Sequence, residues 1–249
     1  MMDALHDPSI TLPSDEPALL NNWQALEKLE QERNQLTTNC YIAAGLTAGL
    51  ALTTPVLMAM AFPVFRGMLP RLQKTSQICT NMGLLLKAFE SQGVIITPDL
   101  KVPDNGALDL FVRFPNSPKA NFAIGLRSNG HSSVFYNKEK ENLYRRRQSG
   151  GLKPWQVDLF RRIGLQEFWL RKNRQALFGQ SSKDRNRAVV KVLVLTGETK
   201  LGKHPEQMYA IIGDQKVLLV QKRVAVYILE ERQQIPFVKA WLAQHAQPQ

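Results

Sequence analysis

Residues 34–65 form a run of 32 positions without an Asp, Glu, Lys or Arg, and from Tyr41 onward nearly all are Ala, Leu, Ile, Val, Met or Phe. A bilayer core needs about 20 apolar residues of helix, at roughly 1.5 Å each. Globular helices seldom go so long without a polar face. The run predicts a single transmembrane helix over residues 39–66, with Pro55 and Pro63 tolerated as kinks. Ahead of it, Ser14, Asp15, Glu16 and Pro17 make a helix start. Leu19, Trp23, Leu26, Leu29 and Leu36 then fall near one face, which predicts an acidic amphipathic helix over 14–38. That stripe suits a short coiled-coil seam as well as it suits an amphipathic helix lying on a membrane surface or on its own domain. Residues 1–13 show no periodicity and read as a disordered tail.

Beyond the run the pattern becomes that of a folded domain, residues 67–249. Ile78, Met82, Leu85, Leu86 and Phe89 keep helical spacing and predict a helix over 72–91, stopped at Gly93. Short strands are predicted over 94–96, 108–114, 121–127 and 132–136, with 98–106 as turns. Pro154 reads as the first position of a long helix ending near Phe178. The nearly unbroken apolar run at 188–196 has the pattern of a strand buried on both faces. Strands over 208–212 and 217–220 follow, then a segment at 224–229 that suits strand or helix, and a last helix from about Pro236. The predicted fold is α/β: a mixed-sheet, three-layer domain behind one N-terminal transmembrane helix.

Charge sharpens this picture. The first 39 residues carry a net charge of −5 and the remainder +16. Arg66, Arg71 and Lys74 follow the apolar run directly, so the positive-inside rule places the basic domain in the cytoplasm and the acidic arm outside. Gly45 and Gly49 form a G-x-x-x-G pair that would let two such helices pack as a dimer. The two cysteines, Cys40 and Cys79, flank the run and show no metal-ligand spacing, which fits a reducing compartment for the domain.

Positive charge concentrates in residues 127–187, with 15 basic and five acidic side chains. Arg145, Arg146 and Arg147 cluster, as do Arg161 with Arg162, and Arg171 with Lys172 and Arg174; Tyr136, Tyr144, Trp155, Phe168 and Trp169 interleave them. Arginines among aromatics suit a phosphate backbone with stacked bases, and these eight basic residues are the candidate nucleic-acid contacts. The same charge would serve as a plain solvated face or against anionic lipid. His6, His131, His204 and His245 are scattered, Ser132 and Ser133 lack a Gly-flanked elbow, and the 197–203 segment lacks the order of a phosphate-binding loop.

The element order, with Gly106-Ala107-Leu108-Asp109 on one strand and Ile124-Gly125-Leu126-Arg127 on the next, resembles the restriction-endonuclease-like PD-(D/E)xK fold, and within it the nuclease-related domain. The resemblance implies Mg²⁺-assisted phosphodiester hydrolysis, with Asp109 as the strand acid and Glu90 as a helix acid. At the E-x-K triplet this chain has Gly125 and Arg127, which removes one metal carboxylate and replaces the lysine with a residue that cannot act as a base. Glu90, Asp109, Gly125 and Arg127 are thus expected as vestiges, with no cofactor unless the nuclease reading holds, in which case Mg²⁺. The sequence reading is a membrane-anchored, non-catalytic nuclease-like module binding DNA or RNA, with a self-associating span. A scaffold for other membrane proteins and a metal-dependent nuclease are its two rivals.

Overall fold

A computed structural model describes residues 21–53, 55–116, 119–147, 150–155, 158–221 and 224–246, with backbone alone at 49–53, 55–61, 64 and 65. The expected tail at 1–13 and the helix start at Ser14 lie outside these residues. The chain is mixed α/β. It opens with two long helices, α1 (Asn22–Thr53) and α2 (Pro55–Phe89). A strand series follows: β1 (Ile95–Val102), β2 (Gly106–Phe114), β3 (Ala120–Arg127), β4 (Ser132–Asn137), β5 (Asn142–Arg147) and β6 (Lys153–Pro154). Then come α3 (Leu159–Asn173), α4 (Ser182–Arg185), β7 (Val189–Leu195), β8 (Thr199–Leu201), β9 (Tyr209–Ile212), β10 (Gln215–Gln221), β11 (Ala225–Glu230) and α5 (Gln234–His245).

Seven strands make the main sheet in the order β1-β2-β3-β7-β11-β10-β9, with β3, β7 and β11 mutually parallel and the outer pairs antiparallel. The parallel centre is where both faces must be covered, and β3 is buried at every position from Ala120 to Leu126. One face carries α1, α2 and α5 through Leu26, Met82, Leu85, Phe89, Phe122 and Phe237. The other carries α3 and a second sheet, β6-β5-β4-β8, through Phe111, Val134, Leu143, Phe160, Ile163 and Phe178. Three layers result, as the apolar patterning predicts.

Several expectations are corrected. The predicted single span over 39–66 is divided between two helices, α1 ending at Thr53 and α2 starting at Pro55. Among the described residues no helix is long and apolar enough to cross a membrane. The 98–106 segment is mostly strand, its Pro98 paired opposite Leu110. Pro154 closes a two-residue strand instead of opening a helix; α3 begins after Asp158, whose carboxylate accepts the Arg161 N–H at 3.0 Å and so caps the helix. The ambiguous 224–229 segment is strand β11, held in parallel register with β7.

The acidic arm belongs to the domain. Ala25, Leu26 and Leu29 join the core of the helical face. Asn22 donates to the Val94 carbonyl at 2.6 Å and accepts the Ile96 N–H at 2.8 Å, and Trp23 Nε1 donates to Glu90 at 2.9 Å. This packing leaves no room for a bilayer between arm and domain. Replacing Asn22 with Ala leaves two part-buried backbone groups unpaired, so Asn22→Ala should cost about 1–3 kcal/mol; a lowered urea midpoint at unchanged slope is the check, and an unchanged midpoint would detach the arm from the fold.

Candidate nucleic-acid interface

Asp109, Gly125 and Arg127 of the sequence-predicted site lie together near the carboxyl end of β3, the end of the parallel strands at which open α/β folds bind ligands. β2 and β3 pair regularly as far as Leu110 opposite Ile124. One residue further, the Asp109 side chain takes over from the backbone ladder: its Oδ2 accepts the Leu126 N–H at 2.6 Å. The same oxygen accepts Lys74 Nζ from α2 at 2.6 Å and Arg127 Nη1 at 2.7 Å. Lys74 and Arg127 also both donate to the Leu126 carbonyl at 2.7 Å. Asp109 is only 2% exposed, and a buried carboxylate is tolerated when it is paired and hydrogen-bonded in this way.

A third cation closes the group. Arg162, on the first turn of α3, donates through Nε to the Asn105 carbonyl at 2.6 Å, while Gln166 donates to the Asn105 and Ala107 carbonyls at 2.9 Å each. These bonds seat α3 on the β1–β2 turn. The turn needs glycine at position 106, where φ is +65° and a methyl would collide with the Arg162 guanidinium. Burial pushes the Arg162 pKa down, and nearby Arg127 adds to the effect. Burial likewise pushes Lys74 below its ordinary value, outweighing the attraction of Asp109, with Arg127 and Arg162 lowering it further.

The metal implied by the family resemblance does not fit this donor set. A hard dication needs several oxygen ligands, yet Asp109 stands alone among three cations. Among the described residues no three His, Cys, Asp or Glu side chains converge on a point. Glu90, expected as the helix acid, lies 16 residues from Lys74, roughly 24 Å along the axis at 1.5 Å per residue, and pairs with Trp23. Gly125 is not required by packing. A Cβ there would meet only ordinary contacts, with Leu193 at 3.5 Å and Arg127 at 3.9 Å. Glycine at this position is therefore not a steric necessity.

The basic residues divide into two groups. Arg145 donates to Asn129 Oδ1, two residues beyond Arg127, which joins β5 to the Asp109 cluster. Arg146 stacks over the Phe135 ring at 5.1 Å and is exposed, as is Arg147. With His131, Ser133 and Lys200 these two line a cavity of about 680 Å³, whose wall includes the buried, unpaired Ser132 hydroxyl. His131 pairs with Glu198 at 2.7 Å, so no serine–histidine pair forms there. Arg161 and Arg162 line a smaller open cavity of about 390 Å³ with Asp104 and Asn105. Arg161 and Arg162 thus border one cavity and Arg146 and Arg147 another, with Arg127 largely buried against Asp109.

Arg171, Lys172 and Arg174 sit at the far end of α3. Arg171 is a structural residue: it pairs with Glu167 at 2.8 Å, donates to the Arg187 carbonyl at 2.6 Å and to the Arg185 carbonyl, and covers the Phe178 ring at 4.8 Å. Sequence reading missed Lys74 and Asn129. Lys74 had a signal, since it stands four residues before Ile78, on the extension of the buried stripe of α2. An ionisable residue in such a place calls for a partner.

No family model, curated protein or solved structure matches this chain.

Removing the single carboxylate strands Lys74 and Arg127, so Asp109→Ala should destabilise the protein by about 3 kcal/mol or more, read by chemical denaturation. Lys74 gives the site a pH signature. Its folded pKa lies below the ordinary 10.5, so the folded state sheds the proton first as pH rises. The stability of the wild type relative to Lys74→Met should therefore increase as pH climbs towards 10.5. A difference independent of pH would show that burial does not perturb Lys74.

Proposed function

We propose that this chain is a non-catalytic, nuclease-like module that binds the phosphate backbone of DNA or RNA along a basic belt made by the arginines of these two cavities and the Asp109 cluster, and is held at a membrane by its apolar helical segment. The observation that carries the reading is the Asp109 cluster. Where the resembled nucleases concentrate carboxylates around a metal, this chain places Lys74, Arg127 and Arg162 around one acid. The arrangement is suited to attracting phosphate and unsuited to activating water. Arg145, Arg146, Arg147, Arg161 and Arg162 extend that field over both flanking cavities. Lys172 and Arg174 would add contacts only for a strand long enough to follow α3 to its end. The antiparallel β1-β2-β3 meander, the α3 crossover and the parallel β7 support the nuclease-like fold as an interpretation of the sheet.

Phosphate binding carries a salt signature, with a log–log slope of about −0.9 per neutralised duplex phosphate. The full-length protein, titrated with fluorescent single- and double-stranded DNA across a salt series, should bind with a steep slope and leave the DNA intact in Mg²⁺ or Mn²⁺. Exchanging Arg145, Arg146 and Arg147 together for Ala should flatten the slope by about 0.9 for each duplex phosphate that is no longer neutralised. Binding indifferent to salt, or cleavage abolished by Asp109→Ala, would overturn the reading.

A further inference from the structure

The charge-free run has a shape as well as a composition. α1 and α2 are antiparallel: Trp23 meets Glu90, Glu30 and Arg33 meet Cys79, and Glu32 pairs with Arg71 at 2.8 Å. The two halves of the run are thus the arms of one helical hairpin, joined between Thr53 and Pro55. Towards its tip, the described side chains leave the core. The core on that face takes Ala25, Leu26 and Leu29 from α1 and residues from Ile78 onward from α2. Nearer the tip, Leu36 and Cys40 are buried, whereas Tyr41, Ile42, Leu46, Phe62 and Leu69 are exposed, Tyr41 by 76% and Leu46 by 60%.

The dimensions fit one half of a bilayer. From the turn, α2 meets its first charge at Arg66, so its charge-free arm is residues 55–65, roughly 16 Å of helix. A leaflet's hydrocarbon is about 15 Å, half of the 30 Å core. By the pairing of Glu30 with Cys79, Tyr41 falls on α1 at a level between Arg66 and Arg71. An aromatic ring and two exposed arginines at that height suit the headgroup layer, where arginine stems lie in the apolar zone and the guanidinium reaches anionic phosphates.

We infer that the hairpin tip enters one leaflet of an anionic membrane from a single side, leaving the acidic arm and the α/β domain together on that side. The inference rests on the membrane attachment proposed above and replaces a crossing with an insertion. It follows from two facts: the tip is one leaflet deep, and Asn22 ties the arm to β1. Acyl chains are the occupant that matches the exposed Ile42, Leu46 and Phe62 below a rim that carries Arg66 and Arg71.

The test adds full-length protein to preformed phosphatidylglycerol–phosphatidylcholine vesicles and floats them on a density gradient. The protein should float, and Leu46→Glu should weaken partition at least tenfold. In chains carrying Cys40→Ala and Cys79→Ala, Lys28→Cys and Gln244→Cys should both react with a membrane-impermeant maleimide on intact vesicles. A fluorophore on Thr53→Cys should be quenched by brominated lipid placed in the outer leaflet. Protection of one of the two outer cysteines would overturn the hairpin insertion while leaving membrane attachment standing. Failure to float would overturn both. A dimer in solution, dissolved by Leu46→Glu and never floating, would assign the tip to a second copy and overturn the inference as well.

Discussion

The carboxylate of Asp109 is the constraint on which the surrounding structure depends. It stands where the β2–β3 ladder stops and accepts a backbone N–H, a lysine from α2 and the arginine that ends β3, all on one oxygen. A group so fully buried must stay charged and paired or leave the fold without its compensation. Three elements from distant parts of the sequence are thereby fixed to one point. The helical layer and the sheet meet there through a bond that tolerates little displacement.

The chemistry of the site follows from the same arrangement. A carboxylate already engaged with two cations has little capacity to bind a metal, and the neighbouring strand adds no second acid beside it, carrying Gly125 and Arg127. Net positive potential is left over, and the belt of arginines on β5 and α3 enlarges it. Focused positive charge at a sheet edge raises the local concentration of polyanions and speeds their encounter, an effect that depends on the sum of charges and not on any single pairing. On the proposed reading, the arginines therefore contribute even where, as with Arg162 and Arg145, they are already hydrogen-bonded to protein groups.

Much of the fold is legible in the sequence because burial on both faces leaves an unmistakable apolar run. Residues 188–196 predict β7, and 121–127 predict β3, close to where each occurs. The turn-rich composition of 98–106 conceals β1, since Pro98 is compatible with an edge strand whose outer side has no ladder to donate to. The apolar stretch is the instructive miss. Composition gives its length but not its path: one helix ends at Thr53 and another starts at Pro55 where hydropathy alone implies a straight helix. At the site, Asp109 and Arg127 are readable from strand position. Lys74 comes from 35 residues upstream, and only the packing of α2 on the sheet brings it there.

The two bonds that Asn22 makes with Val94 and Ile96 have a consequence for the outer border of the main sheet. β1 has β2 on one side only, and an open strand border is a template on which a second molecule can extend the sheet. Asn22 occupies that border as a strand would, giving a donor to one residue and an acceptor to another, and Pro98 removes a further donor. The first helix is thus a cap against edge-to-edge aggregation. A chain cut back to residue 66 would keep every strand and lose this protection, so the border of the α/β domain is guarded by a segment that, by composition, looks dispensable.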